Sequence, residues 1–312
     1  MTASIPFRSV FHADWSTTTK KRWVASALRM ESGWQVEAPR LVTDTRAFID
    51  GLFMVPGPVI AGFDFPVGVP AAYGRQTGLK NFLSALDVFG KDEWAEFFMV
   101  ADTPEQVSLR RPFYPRVSTA ASKQINLLRG LGVESFDALR RDCERATATR
   151  RPACPLFWTL GGNQVGKAAI SGWQEVIAPA RRCGALLWPF DGSLVELAKA
   201  GRPVIAETYP AEAYGHVGIA FRANMSKQRQ EDRRAAMADL FDWAHRRGVT
   251  FSADAAAQIN DGFGVRKAGE DPFDALAGLL GMVEVLDGYR PEGPVDTSNL
   301  NIWEGWILGQ AP

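Results

Sequence analysis

The sequence is poor in the residues that build disulfide frameworks and zinc sites. It has three cysteines and three histidines among 312 residues. Cys143, Cys154 and Cys183 form no CxxC pair, and the histidines show no spacing typical of metal ligands. These absences exclude a disulfide scaffold and a zinc motif. A sparse, odd set of cysteines is typical of a reducing compartment, which predicts a cytoplasmic protein.

Long apolar segments are also missing. Each apolar run is interrupted by a charge, a glycine or a proline well before the roughly 18 residues that a membrane helix needs. The first residues lack the basic patch and apolar run of a signal peptide. We therefore expect neither a membrane span nor a signal peptide. With 46% hydrophobic and 22% charged residues, the composition is that of a packed protein and excludes a disordered, collagen-like or coiled-coil chain.

The chain carries no net charge, because 35 Lys and Arg balance 35 Asp and Glu. An even balance argues against a nucleic-acid partner, since phosphate binders usually have a basic excess. The charges are unevenly spread, however. Residues 104–151 hold ten basic and five acidic residues, whereas residues 268–312 hold eight acidic residues and one arginine. The sequence therefore allows a phosphate substrate, and it favours a small or specifically shaped one over long duplexes.

Three short apolar runs, each followed by a carboxylate, are predicted to be strands. They are Val10–Ala13 before Asp14, Val59–Phe63 before Asp64, and Val204–Ala206 before Glu207. Ligands of open α/β sheets bind outside the carboxyl ends of the strands. Each acid taken alone also suits a turn or a helix cap. Taken together, the three acids predict a site at one edge of a sheet.

A further pair of acids lies at the start of the last predicted helix, Pro272 to Leu286. Asp271 and Asp274 are three residues apart, which puts both on one face of the helix, and Asp271 also suits the N-cap. A cluster of like charges needs either protons or a cation. Ligands that are all oxygen select Mg²⁺ or Mn²⁺. A shared metal centre would require the carboxyl groups of Asp14 and Asp64 to lie within about 8 Å of each other.

The remaining patterns predict further strands and helices and no internal repeat. The strands are 22–28 and 34–37, and the helices are 44–52, 79–89, 92–100, 120–131, 135–147, 164–182, 227–248 and 254–261. Strands dominate the first part of the chain and helices the middle. The sequence therefore predicts an α/β protein.

The order of the acidic motifs resembles the ribonuclease H-like superfamily. More closely, it resembles the predicted nucleases catalogued as domain of unknown function four-two-nine. The resemblance rests on five short segments, which are His12–Trp15, Gly62–Pro70, Glu207–Glu212, Asp271–Leu276 and Glu304–Gly309. It covers about 1–70 and 200–312.

The resemblance implies one domain, 1–312, with a mixed sheet flanked by helices. Its core would span about 1–74 and 200–312, and about 75–199 would form a large, mainly helical insertion. It also implies catalytic and metal-binding roles for Asp14, Asp64, Glu207 and Asp274, with Asp271 as a helper. Under these expectations the protein is a nuclease or phosphodiesterase that uses Mg²⁺ or Mn²⁺ on nucleic acid or a small phosphodiester.

Two other functions remain open at this stage. Asp14–Thr18 is similar to the first phosphate loop of sugar kinases, actin and heat-shock ATPases, although Trp15 stands where those proteins have glycine. This favours a phosphotransferase or ATPase on the same core fold. The second alternative is a non-catalytic protein that uses the acids to hold an ion or a partner.

Three basic residues are candidates for substrate binding. Lys167 lies in Gly161–Ala168, which nearly matches the phosphate-loop pattern but has Ala168 where that pattern needs a hydroxyl. Lys227 and Arg229 follow the Glu207 motif and could face a phosphate. For both of them a solvated helix start is an equally good interpretation.

Overall fold

The computed structural model describes residues 4–115, 123–148, 150–159, 165–265, 269–294 and 300–312. Within these ranges the chain forms two compact units. The residues of the first fall within Met1–Asp64, Pro179–Pro294 and Ile307–Ala311. Those of the second fall within Phe65–Ala178, Val295–Trp306 and Pro312.

The first unit contains a mixed sheet of seven strands, in the order β5-β6-β4-β1-β2-β3-β7. The strands are β1 (Ser9–Asp14), β2 (Trp23–Met30), β3 (Gly33–Leu41), β4 (Val59–Phe63), β5 (Leu186–Leu187), β6 (Val204–Glu207) and β7 (Val249–Phe251). Strands β1, β2 and β3 are antiparallel neighbours, while β4 runs parallel to β1 and β6 runs parallel to β4. The expected α/β class, with a mixed sheet flanked by helices, is confirmed.

The chain also forms twelve α-helices within the described ranges. They are α1 (Thr45–Leu52), α2 (Ala71–Gln76), α3 (Phe82–Val88), α4 (Lys123–Leu131), α5 (Val165–Gly172), α6 (Ala178–Arg182), α7 (Leu194–Lys199), α8 (Pro210–Ala213), α9 (Gln230–Ala236), α10 (Leu240–Arg247), α11 (Ala253–Asp261) and α12 (Glu270–Leu286). None of the helices described is long and apolar enough to span a membrane.

Two helices cover opposite faces of the central strands. α12 is buried from Pro272 to Leu286, as expected of a helix that is apolar on every side. It packs on the face of β1 that carries His12, whose ring touches Gly278. On the other face, Phe48 of α1 packs against Phe63 of β4, with ring centroids 6.3 Å apart.

Several predicted helices differ from those in the structure. The prediction of one helix from Lys227 to Gly248 is wrong, because the chain breaks between α9 and α10, where the carbonyl of Ala236 accepts a hydrogen bond from Ala220. The predicted helix 135–147 consists of two short 3-10 turns, Asp137–Leu139 and Asp142–Glu144. The predicted helix 92–100 is likewise reduced to one 3-10 turn, Asp92–Trp94, which irregular turns follow.

The predicted helix 164–182 is confirmed from Val165 to Arg182. It includes a π-helical stretch, Trp173–Ile177, whose three predicted apolar residues are buried. Position 164 lies outside the described residues. The last helix begins at Glu270 and its N-cap is Gly269, so Asp271 lies in the first turn and is not the cap.

The second unit has a buried ion pair of its own. Arg141 and Glu144 are 3.0 Å apart, and their side chains are 1% and 3% exposed. The carboxylate of Glu304 accepts hydrogen bonds from the backbone amides of Ala71, at the start of α2, and Asp142. The amide of Asp142 therefore bonds a side chain, so one continuous helix does not run through this residue.

Candidate active site at the strand ends

Asp14 and Asp64 lie side by side at the carboxyl ends of two parallel strands. In the register of β1 and β4, Ala13 pairs with Phe63, so the two acids that follow are neighbours. The backbone amide of Trp15, the residue that follows Asp14, donates a hydrogen bond to Oδ1 of Asp64 at 2.6 Å. The two carboxyl groups are close enough for the charge of Asp64 to raise the pKa of Asp14. The proximity that a shared metal centre requires, within about 8 Å, is therefore met.

Helix α12 adds the other two acids. Nδ1 of His12 lies 3.0 Å from the carbonyl oxygen of Ala275, which anchors the start of the helix to β1. The next residues toward the N-terminus of α12 are Asp274, which is 7% exposed, and Asp271. The negative charges of both residues act on Asp14. We call Asp14, Asp64, Asp271 and Asp274 the acidic cluster.

The pKa values of all four carboxyl groups in the acidic cluster are raised, and burial is the largest cause in each. For Asp14 the shift is large, and after burial it comes from the charges of Asp64, Asp274 and Asp271. Burial raises the pKa of Asp64 to about 7, although the hydrogen bond from Trp15 lowers it. The acidic cluster therefore retains protons near neutral pH unless a cation takes their place.

Lys227 is a cation in contact with the acidic cluster. Its Nζ lies 2.6 Å from Oδ2 of Asp274 and 3.1 Å from Oε1 of Glu270. Burial would lower the pKa of Lys227, but Asp274 and Glu270 outweigh burial and raise it. The other oxygen of Asp274, Oδ1, accepts a hydrogen bond from the hydroxyl of Tyr214 at 2.5 Å. Asp274 is thus held at both oxygens.

Glu207 ends β6, but its side chain lies on the other face of the sheet. Phe63 pairs with Ala13 on one side and with Glu207 on the other, so these three side chains share a face. Because side chains alternate along a strand, Asp14 points to the opposite face. The residue of this chain segment that alternates onto the Asp14 face is Thr208. The structure therefore separates Glu207 from Asp14 and Asp64 and brings Thr208 there in its place.

Two buried polar atoms on this face have no hydrogen-bond partner within the described part of the chain. They are Oγ1 of Thr208 and Nε2 of His12. Burial lowers the pKa of His12 to about 3, so the ring is neutral. Since a carbonyl oxygen only accepts, Nδ1 carries the proton and Nε2 presents a lone pair. Sequence alternation placed His12 on the face of Asp14, but Thr208 is identified only by the strand register.

The other two predicted substrate-binding residues have different surroundings. The guanidinium of Arg229 is exposed and bonds Asp232, at 2.6 Å, and the carbonyl of Asn224 within its own loop. Lys167 is in α5 and belongs to the second unit. Residues 161–164 of the near-match to a phosphate loop lie outside the described residues. Of the two predicted basic residues in the first unit, Lys227 contacts the acidic cluster, whereas Arg229 bonds within its own loop.

The acids do not form a ready-made set of three ligands. Across the described ranges, no three His, Cys, Asp or Glu side chains stand together as ligands of one ion. Comparison of the chain with models of known families, with curated proteins and with solved structures found no match.

Proposed function

We propose that this protein is a divalent-metal-dependent phosphodiesterase whose active site is the acidic cluster. The observation that carries the proposal is the pair of neighbouring buried carboxyl groups, Asp14 and Asp64, at the carboxyl ends of adjacent parallel strands. The pKa values of both are raised. Such a pair holds a proton that a metal ion can displace. Its substrate would be nucleic acid or a small phosphodiester.

The donor set suits Mg²⁺ or Mn²⁺. All the acids offer oxygen, and Mg²⁺ is commonly held by one or two carboxylates while it keeps several waters. Two adjacent carboxylates are therefore sufficient, and a closed set of three protein ligands is not required. Asp14 and Asp64 would hold the ion, and Asp274 would lie beside it. A bound ion of this type supplies charge stabilisation to a phosphoryl group and activates water.

The strand order supports the ribonuclease H-like expectation. Three antiparallel strands, β1 to β3, come first in the chain, followed by α1 and then by β4 parallel to β1. This is the β-β-β-α-β start of that fold. We propose accordingly that its core lies mainly within about 1–74 and 200–312, with about 75–199 as the insertion. β5 (Leu186–Leu187) is an exception, because it is part of the sheet.

The phosphotransferase alternative is less well supported by the geometry. In that group of enzymes a glycine lets the backbone approach a phosphate. Here the ring of Trp15 is 6% exposed, its amide bonds Asp64, and the guanidinium of Arg22 stacks 4.0 Å from the ring centre. The amide that follows Asp14 is thus already occupied.

The test compares the wild-type protein with Asp64→Asn on single-stranded, duplex and branched nucleic acids and on bis-p-nitrophenyl phosphate. We expect the wild-type protein to cleave at least one of these only with Mn²⁺ or Mg²⁺. Asp64→Asn should lower that rate roughly 10²- to 10⁴-fold, because metal-ion stabilisation is worth several kcal/mol. Asp242→Asn, at an exposed position of α10, is the matched control and should keep full activity.

Three other results would contradict a phosphodiesterase at the acidic cluster. Equal rates for the wild-type and Asp64→Asn proteins would place the activity at another site or in a contaminant. Turnover of a nucleoside triphosphate without phosphodiester cleavage would support the phosphotransferase. Stabilisation by Mn²⁺ without any turnover would support a non-catalytic metal-binding protein.

A further inference from the structure

We propose that the ammonium group of Lys227 fills one of two cation positions at the acidic cluster, so that the site takes a single divalent ion. This inference rests on the proposed function, because it concerns the metal that the acidic cluster would hold. It identifies Lys227 as the residue that sets the number of ions.

The acidic cluster has two ends with different partners. At one end, Nζ of Lys227 contacts Asp274 at 2.6 Å and Glu270 at 3.1 Å, as a compact point charge. The hydroxyl of Tyr214 completes the surroundings of Asp274. At the other end, neither Asp14 nor Asp64 forms an ion pair within the described residues, and the charge of Lys227 affects the pKa of Asp14 less than the neighbouring carboxylates do. One end is therefore neutralised by a built-in cation, and the other is not.

The Asp14–Asp64 end also has a hydroxyl group nearby that could serve as a metal ligand. Thr208 N donates to the carbonyl of Phe63, at 2.8 Å, so Thr208 lies level with Asp64. Thr208 is 5% exposed, and its Oγ1 has no hydrogen-bond partner within the described residues. A hydroxyl oxygen is a ligand that Mg²⁺ and Mn²⁺ accept. The single divalent ion is therefore expected at the Asp14–Asp64 end.

Lys227 is held in place by its loop. Its carbonyl accepts a hydrogen bond from Nη1 of Arg233, at 2.5 Å. Arg233 is fully buried and also donates to the carbonyls of Gly262 and Gly264. The preceding amide, of Ser226, donates to the carboxylate of Asp232 at 2.7 Å. The backbone at Lys227 is thus fixed on both sides, as expected of a residue that positions a charge.

Lys227 disfavours a second divalent ion at Asp274. A second ion would need Asp274, whose Oδ2 already contacts the ammonium, and it would be repelled by that charge. Replacement of Lys227 by an uncharged residue removes both obstacles. It leaves Asp274 and Glu270 as two carboxylates without a cation, which is a donor set for another Mg²⁺ or Mn²⁺.

The test counts Mn²⁺ ions bound per chain by calorimetric titration and native mass spectrometry, neither of which requires turnover. We expect the wild-type protein to bind one ion, Lys227→Met to bind two, and the double variant Lys227→Met with Asp274→Asn to return to one. Lys227→Arg keeps the charge and should bind one. Lys227→Gln repeats the measurement if Lys227→Met does not fold. Lys199→Met, on the exposed side of α7, is the control and should bind one.

Two results would overturn the inference. If the wild-type protein binds two ions, or if the uncharged variants still bind one, Lys227 does not occupy a cation position, and the proposed phosphodiesterase is unaffected. If the wild-type protein binds no Mn²⁺, the inference and the metal-dependent function both fail. Binding of one ion without cleavage of any phosphodiester would contradict the function alone.

Discussion

Replacement of Asp14 by asparagine is expected to stabilise the metal-free protein above pH 7 and to abolish its stabilisation by Mn²⁺. In the wild-type protein, burial and like charge raise the pKa of both Asp14 and Asp64. An asparagine at position 14 offers Asp64 an N–H donor without needing a proton. It removes one negative charge at the same time.

The direction in which the stability changes with pH follows from proton binding. The pKa of Asp64 is about 7 in the folded protein, against an ordinary value of 3.8, so the folded state binds more protons than the unfolded state between these pH values. The free energy of unfolding of the wild-type protein therefore falls as the pH rises through this range. For Asp64 alone the fall amounts to about 4 kcal/mol at most, at 1.36 kcal/mol per pH unit. Asp14→Asn should reduce this fall.

The measurement is thermal unfolding with a chelator and with Mn²⁺, at pH values on either side of 7. The control is Asp242→Asn, which should follow the wild-type protein in both series. A wild-type protein whose stability without metal does not fall between pH 4 and pH 8 would contradict the raised pKa values. An Asp14→Asn variant that Mn²⁺ still stabilises as strongly as the wild-type protein would remove Asp14 from the metal site.

Gly278→Ala is expected to lower the free energy of unfolding by about 3 kcal/mol, a typical cost of overfilling a packed core. A Cβ at this position would lie 2.2 Å from Nε2 and Cε1 of His12. The ring of His12 is fully buried and its Nδ1 is hydrogen-bonded to Ala275. It therefore cannot turn aside without losing that bond, and α12 must move away from β1.

Chemical denaturation measures this cost, and Gly51→Ala provides a matched control. Gly51 lies in α1, and a Cβ there has no other atom within 4 Å. The free energy of unfolding of the Gly51→Ala variant should be unchanged or raised by up to about 1 kcal/mol, because alanine has a better helix propensity than glycine. The close contact of α12 with β1 would be refuted if Gly278→Ala were as stable as the wild-type protein. Because α12 carries Asp274, the variant should also bind Mn²⁺ more weakly.

The strand ends were predictable from the sequence because their signals are local. An apolar run followed by an acid marks Asp14 and Asp64, and a spacing of three residues puts Asp271 and Asp274 on one helix face. The observed strands and α12 agree with these patterns. Local signals failed where a distant partner decides the structure, as at Asp142, whose amide bonds Glu304.

The face of a strand-end residue depends on register, which the sequence does not reveal. Glu207 and Thr208 both follow the apolar run of β6, and a shift of one residue exchanges the faces on which they lie. The pairing of Glu207 with Phe63 decides between them. The sequence likewise could not decide whether Lys227 faces a phosphate or begins a solvated helix. Its contact with Asp274 spans 47 positions in sequence and leaves no local signal.

The acidic cluster costs stability in the absence of a cation, and such a cost is commonly found where a site is built for binding. Asp14 and Asp64, whose pKa values are raised, lie at the same edge of the sheet as the hydroxyl of Thr208, which has no hydrogen-bond partner among the residues the structure describes. In contrast, Asp274 has Lys227 and Tyr214. We therefore expect a metal ion to bind at the Asp14–Asp64 end of the acidic cluster.

The most direct measurement is anomalous X-ray diffraction from crystals of the wild-type protein grown with Mn²⁺. We expect one anomalous peak, roughly 2.0–2.4 Å from carboxylate oxygens of both Asp14 and Asp64, with Nζ of Lys227 still in contact with Asp274. A map without a peak at Asp14 and Asp64 would contradict the proposed metal site.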